Sequence, residues 1–195
     1  MSKQISKRAE QRRRNQRRAP VWPFLMGGAL LVAALFFIPQ KQGNSIAAEG
    51  GSSIPVEVNY PAPKLSLQNL DGETQSLEEL RGKVALVNNW ATWCPPCKAE
   101  LPTLVAFYND HAGEDFVIIG IEAGEPVSEV APFVEQYQIT YPVWLDPGHL
   151  AERAFGNSNL PNSYVIDRSG TIRLAWTGQI SRAMLDKYVL PLLTE

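Results

Sequence analysis

The chain has 195 residues, 45% of them hydrophobic, and a formal net charge of −2, which suits one ordinary domain with a buried core plus a tail. The near-neutral total hides a division: the first twenty residues hold eight Lys and Arg against one acid, whereas from Lys41 onward ten bases face nineteen acids. The chain is thus a basic arm joined to an acidic body, and no internal repeat is visible.

The basic arm, residues 1–20, abuts "VWPFLMGGALLVAALFFI", Val21–Ile38, eighteen residues without a charge. At about 1.5 Å per helical residue the run covers roughly 27 Å, close to the hydrocarbon thickness of a bilayer, and is read as a transmembrane signal-anchor helix with Trp22 at the interface. A cleaved secretory signal is the alternative, since "SIA" at Ser45–Ala47 offers small residues before a cut, but a signal's apolar region is usually about 7 to 15 residues. Arg17-Arg18 lacks the apolar pair that a twin-arginine signal wants after it, because Ala19 and Pro20 follow. No cysteine near the end of the run marks a lipoprotein. The bases predict a cytoplasmic N-terminus, with everything after Ile38 across the membrane, and they suit anionic lipid better than nucleic acid.

Residues 39–59, rich in Gly, Ser, Gln and Asn without sustained periodicity, read as a flexible linker, and residues 60–195 as the folded domain. Within it "KLSLQNL" alternates like a strand, "DG" at Asp71-Gly72 signals a hairpin turn, and "TQSLEELRGK" gives a short strand and a helical turn closed by Gly82. "VALVNNW" is a buried strand. "CKAELPTLVAFYNDHAG" places Leu101, Leu104, Val105 and Tyr108 on one helical face stopped by Gly113. "DFVIIGIEA" predicts a second buried strand, "VSEVAPFVEQYQI" a helix, "YPVWLD" a strand, "HLAERAF" a short helix, "NSYVIDRSGTIRLAWTG" two strands around Arg168-Ser169-Gly170, and "SRAMLDKYVLPLL" a closing helix. Such alternation predicts an α/β fold around a central mixed sheet flanked by helices.

The only cysteines, Cys94 and Cys97, lie at the junction of a buried strand and a helix. A thiol at a helix N-terminus faces free N–H groups and the positive end of the dipole, so Cys94 is the better nucleophile. A disulfide between them closes so small a loop that it stabilises little as a staple. Zinc usually needs four ligands, and His111 and His149 are the only histidines. Two thiolates suffice for copper(I), which leaves a copper-delivery module as an alternative. The remaining chemistry is thiol-disulfide exchange, which needs no cofactor: Cys94 attacks a partner disulfide and Cys97 resolves the mixed disulfide. Pro95 and Pro96 have no N–H to offer a sulfur, so help for the Cys94 thiolate must come from Cys97 and later donors, and the dipeptide tunes the potential.

"VNNWATWCPPCKAELP" resembles the thioredoxin superfamily, and more closely its membrane-anchored TlpA/ResA-like branch of extracytoplasmic thiol-disulfide oxidoreductases, over roughly Tyr60 to Glu195. The resemblance implies a thioredoxin-like fold, with Cys94 and Cys97 as attacking and resolving cysteines, Trp90, Ala91 and Trp93 as the aromatic approach, and Pro102 as a helix-kinking proline. It makes Glu100 an acid kept near the disulfide, where composition alone permits an ordinary solvated helix residue. It also makes Leu160 and a cis Pro161 the segment that aligns a substrate backbone. Asn88 stands where cytoplasmic thioredoxins carry a buried acid. Asn89, where an aromatic residue is common, and Asn162, where Thr is usual, depart from the pattern. The function implied is reduction of disulfides in exported proteins such as apocytochrome c, supplied by a membrane thiol donor. A disulfide-forming oxidant is the rival within the class. Ala91 replaces the Thr that a peroxiredoxin-type site places three residues before its cysteine.

Overall fold

The computed structural model describes residues 52–111, 113 and 115–194. The basic arm, the apolar run Val21–Ile38 and the linker up to residue 51 lie outside them, and among the described residues no helix is long and apolar enough to cross a membrane.

The apolar run Val84–Trp90 is strand β4, buried at every position, as expected of a strand covered on both faces. It pairs in parallel with β5 (Phe116–Glu122), in register Trp90↔Glu122, and antiparallel with β7 (Asn162–Ile166). Around this centre the order is β1-β8-β7-β4-β5-β6-β2-β3. Here β1 is Val56–Pro61, β2 Ser66–Asn69, β3 Thr74–Ser76, β6 Val143–Leu145 and β8 Thr171–Thr177. The Asp71-Gly72 signal makes the β2–β3 hairpin, with Gly72 at φ 82° donating its N–H to the Asn69 carbonyl at 3.1 Å, a backbone conformation that glycine adopts without penalty.

Alternation along the strands splits the core in two. One cluster packs α1 (Pro95–His111), α2 (Val127–Gln136) and the C-terminal segment on the sheet through Leu101, Leu104, Phe107, Val130, Phe133, Leu185 and Val189. The other lies under α3 (Leu150–Phe155) and the 3-10 turn Leu77–Leu80, around Leu67, Leu77, Ile119, Trp144 and Tyr164. Gly120 has a packing reason, because a Cβ there would lie 2.9 Å from Trp90 Nε1. Trp90 itself is fully buried and stacks on Phe133.

Two boundaries differ from the sequence reading. The linker expected through Asn59 ends sooner, since β1 starts at Val56 and pairs with β8 (Val56↔Ala175, Tyr60↔Ile172). The ties begin earlier still, with Ser52 Oγ accepting the Ser181 N–H at 2.9 Å. The strand is hard to read because five of its six residues are exposed, so burial leaves no alternating pattern. The closing helix is not one α-helix but Arg182–Met184 (α4), a π turn Leu185–Val189, and Leu190–Leu193 (α5). Pro191 cannot donate into an α ladder, and the turn before it widens.

Candidate active site

Strand β4 ends at Trp90 in the sheet's centre, and the chain then makes a tight turn, Cys94 donating its N–H to the Ala91 carbonyl at 3.2 Å. The Cys94 carbonyl accepts the Lys98 N–H at 3.1 Å, so Cys94 caps α1. Cys94 and Cys97 are joined in a disulfide with Cα atoms 5.3 Å apart. Pro95 and Pro96 are exposed between them and contribute no N–H. The Cys97 N–H points at Cys94 Sγ, 3.3 Å away, which is the donor expected to favour a Cys94 thiolate. Accessibility follows the same asymmetry: Cys94 is 3% exposed and Cys97 0%, beside Trp93 at 65%.

Glu100 lies one helical turn beyond Cys97 on the same buried side and is fully enclosed, not a solvated helix residue. Its Oε1 accepts from Asn88 Nδ2 at 2.8 Å and its Oε2 from the Ile180 N–H at 2.9 Å. Burial pushes its carboxyl up to about 7, although the Ile180 and Asn88 donors pull the other way. Asn88 also donates to Ser163 Oγ at 2.9 Å. The acid absent from β4 is thus supplied from α1, with Asn88 as its holder.

The Leu160–Pro161 peptide is cis. Because β7 runs antiparallel to β4, Pro161 at its head lies beside the turn that leaves the end of β4. Leu160 packs against the cluster that contains both cysteines. With Trp93 and Asn89 it lines a cavity of about 200 Å³. The sites named from the sequence, Cys94, Cys97, Trp93, Pro95, Pro96, Glu100, Leu160 and Pro161, therefore gather at one end of the sheet. The two departures from the family pattern turn out to be partners: Asn89 Nδ2 donates to Asn162 Oδ1 at 2.7 Å, and Asn162 Nδ2 to the Asn159 carbonyl at 2.6 Å. Both asparagines are buried, and their bonds anchor the segment that carries Pro161 to β4.

A further group was not read from the sequence. Glu125, in the loop after β5, accepts both the Thr92 N–H, at 2.8 Å, and the Thr92 hydroxyl. Behind it Glu122 ends β5, fully buried, with its Oε2 accepting the Glu125 N–H at 2.9 Å. Burial, the adjacent Glu125 carboxylate and the charge of Asp146 push the Glu122 carboxyl up to about 8. Burial also opposes ionisation of Glu125, but the donors Thr92 and Glu122 outweigh it and hold this carboxyl below its ordinary value. The available signal was an acid ending the otherwise apolar strand "FVIIGIE" directly beside Trp90.

A disulfide capping a helix that leaves a central strand, with a cis-proline at the head of the neighbouring strand, defines a thioredoxin-like thiol-disulfide oxidoreductase. The chain belongs to the AhpC/TSA family, whose model matches residues 58–175. It is similar to the thiol-disulfide oxidoreductase ResA of Geobacillus thermodenitrificans, 30% identical over 134 residues that cover 69% of this chain and 77% of that one. The ResA of Halalkalibacterium halodurans is 33% identical over 123 residues, 63% of this chain and 70% of that one. Among solved structures, a thiol:disulfide interchange protein of the thioredoxin family from Chlorobium tepidum superposes with a TM-score of 0.63 at 35% identity, covering 71% and 99% of the two chains. StoA of Bacillus subtilis, at 23% identity, covers 69% and 98% with a TM-score of 0.57 and shares the fold.

Proposed function

We propose that this oxidoreductase is a membrane-anchored reductant of disulfides in exported proteins, apocytochrome c among them, with its body outside the cytoplasm. The observation that carries the chemistry is the Cys97 N–H aimed at Cys94 Sγ at the start of α1. In the reduced state the Cys94 thiolate attacks one sulfur of the partner's disulfide and the partner's other sulfur leaves as a thiolate. Cys97 then gives up its proton and attacks Cys94 Sγ, expelling the partner's second sulfur as a thiolate while Cys94–Cys97 becomes the disulfide, and the two partner thiolates take up that proton and one from solvent to give the dithiol. Glu100, buried one turn from Cys97 with a carboxyl near 7, is the group we assign to take that proton, since a base poised near the working pH transfers protons best. Leu160 and Pro161 align the partner's backbone, and Trp93 meets it. A membrane thiol donor returns the pair to the dithiol. The location rests on the basic arm and the uncharged run Val21–Ile38, and the direction of electron flow on the resemblance of "VNNWATWCPPCKAELP" to the TlpA/ResA-like branch.

The test is capture. Expressed in its membrane, Cys97→Ser should accumulate partners bound through Cys94 that are released by reductant, because a serine hydroxyl does not displace a mixed disulfide at a useful rate. Cys94→Ser should capture few. Captured exported proteins carrying a C-x-x-C-H haem-attachment motif support the assigned partner class. A reduction potential as high as that of strong disulfide-forming oxidants, about −120 mV, would reverse the direction, and tight copper(I) binding with no captured partner would replace exchange by metal delivery.

A further inference from the structure

The turn Ala91-Thr92-Trp93-Cys94 presents the attacking sulfur, yet little of its own structure fixes it. Its internal tie is the Cys94 N–H on the Ala91 carbonyl, and Trp93 is largely exposed. At its base, Ala123 donates its N–H to the Trp90 carbonyl at 2.9 Å. The grip on its middle comes from another element, through Glu125: one carboxylate oxygen takes the Thr92 N–H and the other the Thr92 hydroxyl. A carboxylate accepting a backbone donor and a side-chain donor of one residue fixes both the peptide plane and the rotamer, and such charge-assisted bonds are the stronger kind. Glu125 is itself fixed from behind, since Glu122 Oε2 accepts its N–H. Glu122 Oε1, buried, faces no donor. Burial raises the Glu122 carboxyl, while the Thr92 donors hold that of Glu125 below its ordinary value. The buried acid thus braces, through the Glu125 N–H, the acid that grips Thr92.

We infer that Glu125 is a positioning residue for the redox couple: by holding Thr92 at both donors it sets the turn from which Cys94 attacks, and Glu122 braces it. In the disulfide state the Cys94–Cys97 ring also restrains Cys94. In the dithiol state that ring is open, so the grip on Thr92 matters most in the form that attacks. This rests on the thiol-disulfide activity and not on which partner is served.

The experiment uses the full-length chain in detergent, reduced, and follows its reaction with a small aromatic disulfide over a range of pH. The midpoint of the rate profile reads how easily Cys94 ionises, and the plateau above it reads how well the thiolate is placed. Losing both charge-assisted bonds, discounted because the site is half-buried, should lower the plateau of Glu125→Ala about tenfold. Thr92→Val loses only the hydroxyl contact and should lower it about threefold. Glu125→Gln, keeping one acceptor, should fall between Glu125→Ala and the unaltered protein. The decisive arm is the combination Thr92→Val with Glu125→Ala, which should be no slower than Glu125→Ala alone because the two remove one interaction. A plateau within twofold of the unaltered protein in Glu125→Ala, or losses that multiply in the combination, would overturn the assignment. If Glu125→Ala fails to fold, Glu125→Gln and Thr92→Val are read singly, and plateaus of both indistinguishable from that of the unaltered protein overturn it.

Discussion

Two faces of the same sheet meet the redox turn, and they handle buried polar groups differently. Asn88 and Asn89 are neighbours on β4 and point to opposite sides. On the α1 side Asn88 joins Ser163 and a buried acid, Glu100, and along the same face Glu122 closes β5. On the other side Asn89 meets Asn162, amide to amide, with no titratable group in the bond. One face has a proton inventory that changes near neutral pH, and the other is a fixed anchor for the segment around Pro161. The two acids also differ between themselves. Both Glu100 oxygens have donors, whereas Glu122 has one donor, one bare oxygen and two acidic neighbours, so its carboxyl is pushed further, to about 8 against about 7.

The largest expected effect separates those two acids. Glu100→Leu strands the Ile180 N–H and one donor of Asn88 in the core, at about 1–3 kcal/mol for each such group, so a destabilisation of about 3 kcal/mol is expected. Glu122→Leu strands only the Glu125 N–H while removing a bare acceptor among acids, and about 1 kcal/mol or less is expected. Urea unfolding of a body cut before Ser52, so that β1 keeps its pairing, measures both. Equal losses would show that donor count does not govern these sites.

A smaller effect is the dependence of stability on pH. Both folded carboxyls sit above the ordinary 4.5, at about 7 and about 8, so between 4.5 and 8 the native protein holds protons that the unfolded chain has released. Stability must then fall as pH rises through that window and level off above it. Glu125 and Asp167, held below their ordinary values, act in the opposite sense, contributing stability that is lost at more acid pH, outside the window. Unfolding midpoints from pH 5 to 9 should decline in the unaltered protein. Glu122→Gln, which keeps an acceptor for Glu125 and cannot ionise, should flatten the upper end. A midpoint that rises over this range would contradict the assignment.

Much of this fold can be read from the chain because local chemistry and burial agree. "VALVNNW" and "FVIIGIE" are apolar enough to be central strands, and Asp71-Gly72 and Gly82 stop their elements where turn chemistry requires. Legibility fails where the deciding partner is distant or the surface is wet. β1 is an edge strand with exposed side chains, recognisable only by its pairing with β8. The closing helix has helical periodicity, and its π turn depends on one missing N–H at Pro191. At the site, the cysteines and the cis Pro161 follow from motif. The burial of Glu100 depends on Asn88 and Ile180, the latter 80 residues away. The grip on Thr92 depends on Glu125, 33 residues on. Glu125 has no spacing signature of its own.

The least expected effect by size is on the amide face, and it tests whether that face is the fixed one. Asn89 and Asn162 each depart from the family pattern, and each alone reads as a polar residue misplaced in a buried strand. Together they form a chain: Asn89 donates to Asn162, which donates onward to the Asn159 carbonyl just before the cis bond. A neutral hydrogen bond of this kind contributes about 0.5–1.5 kcal/mol net, so a cycle of Asn89→Ala, Asn162→Ala and the double variant should show coupling of about 1 kcal/mol. Neither group titrates, so the coupling measured at pH 5 should equal that at pH 8, although total stability differs between the two. Additive losses would show the asparagines to be independent accidents of sequence. Coupling that changed with pH would mean that the acids on the opposite face reach through β4, and the division between the two faces would not hold.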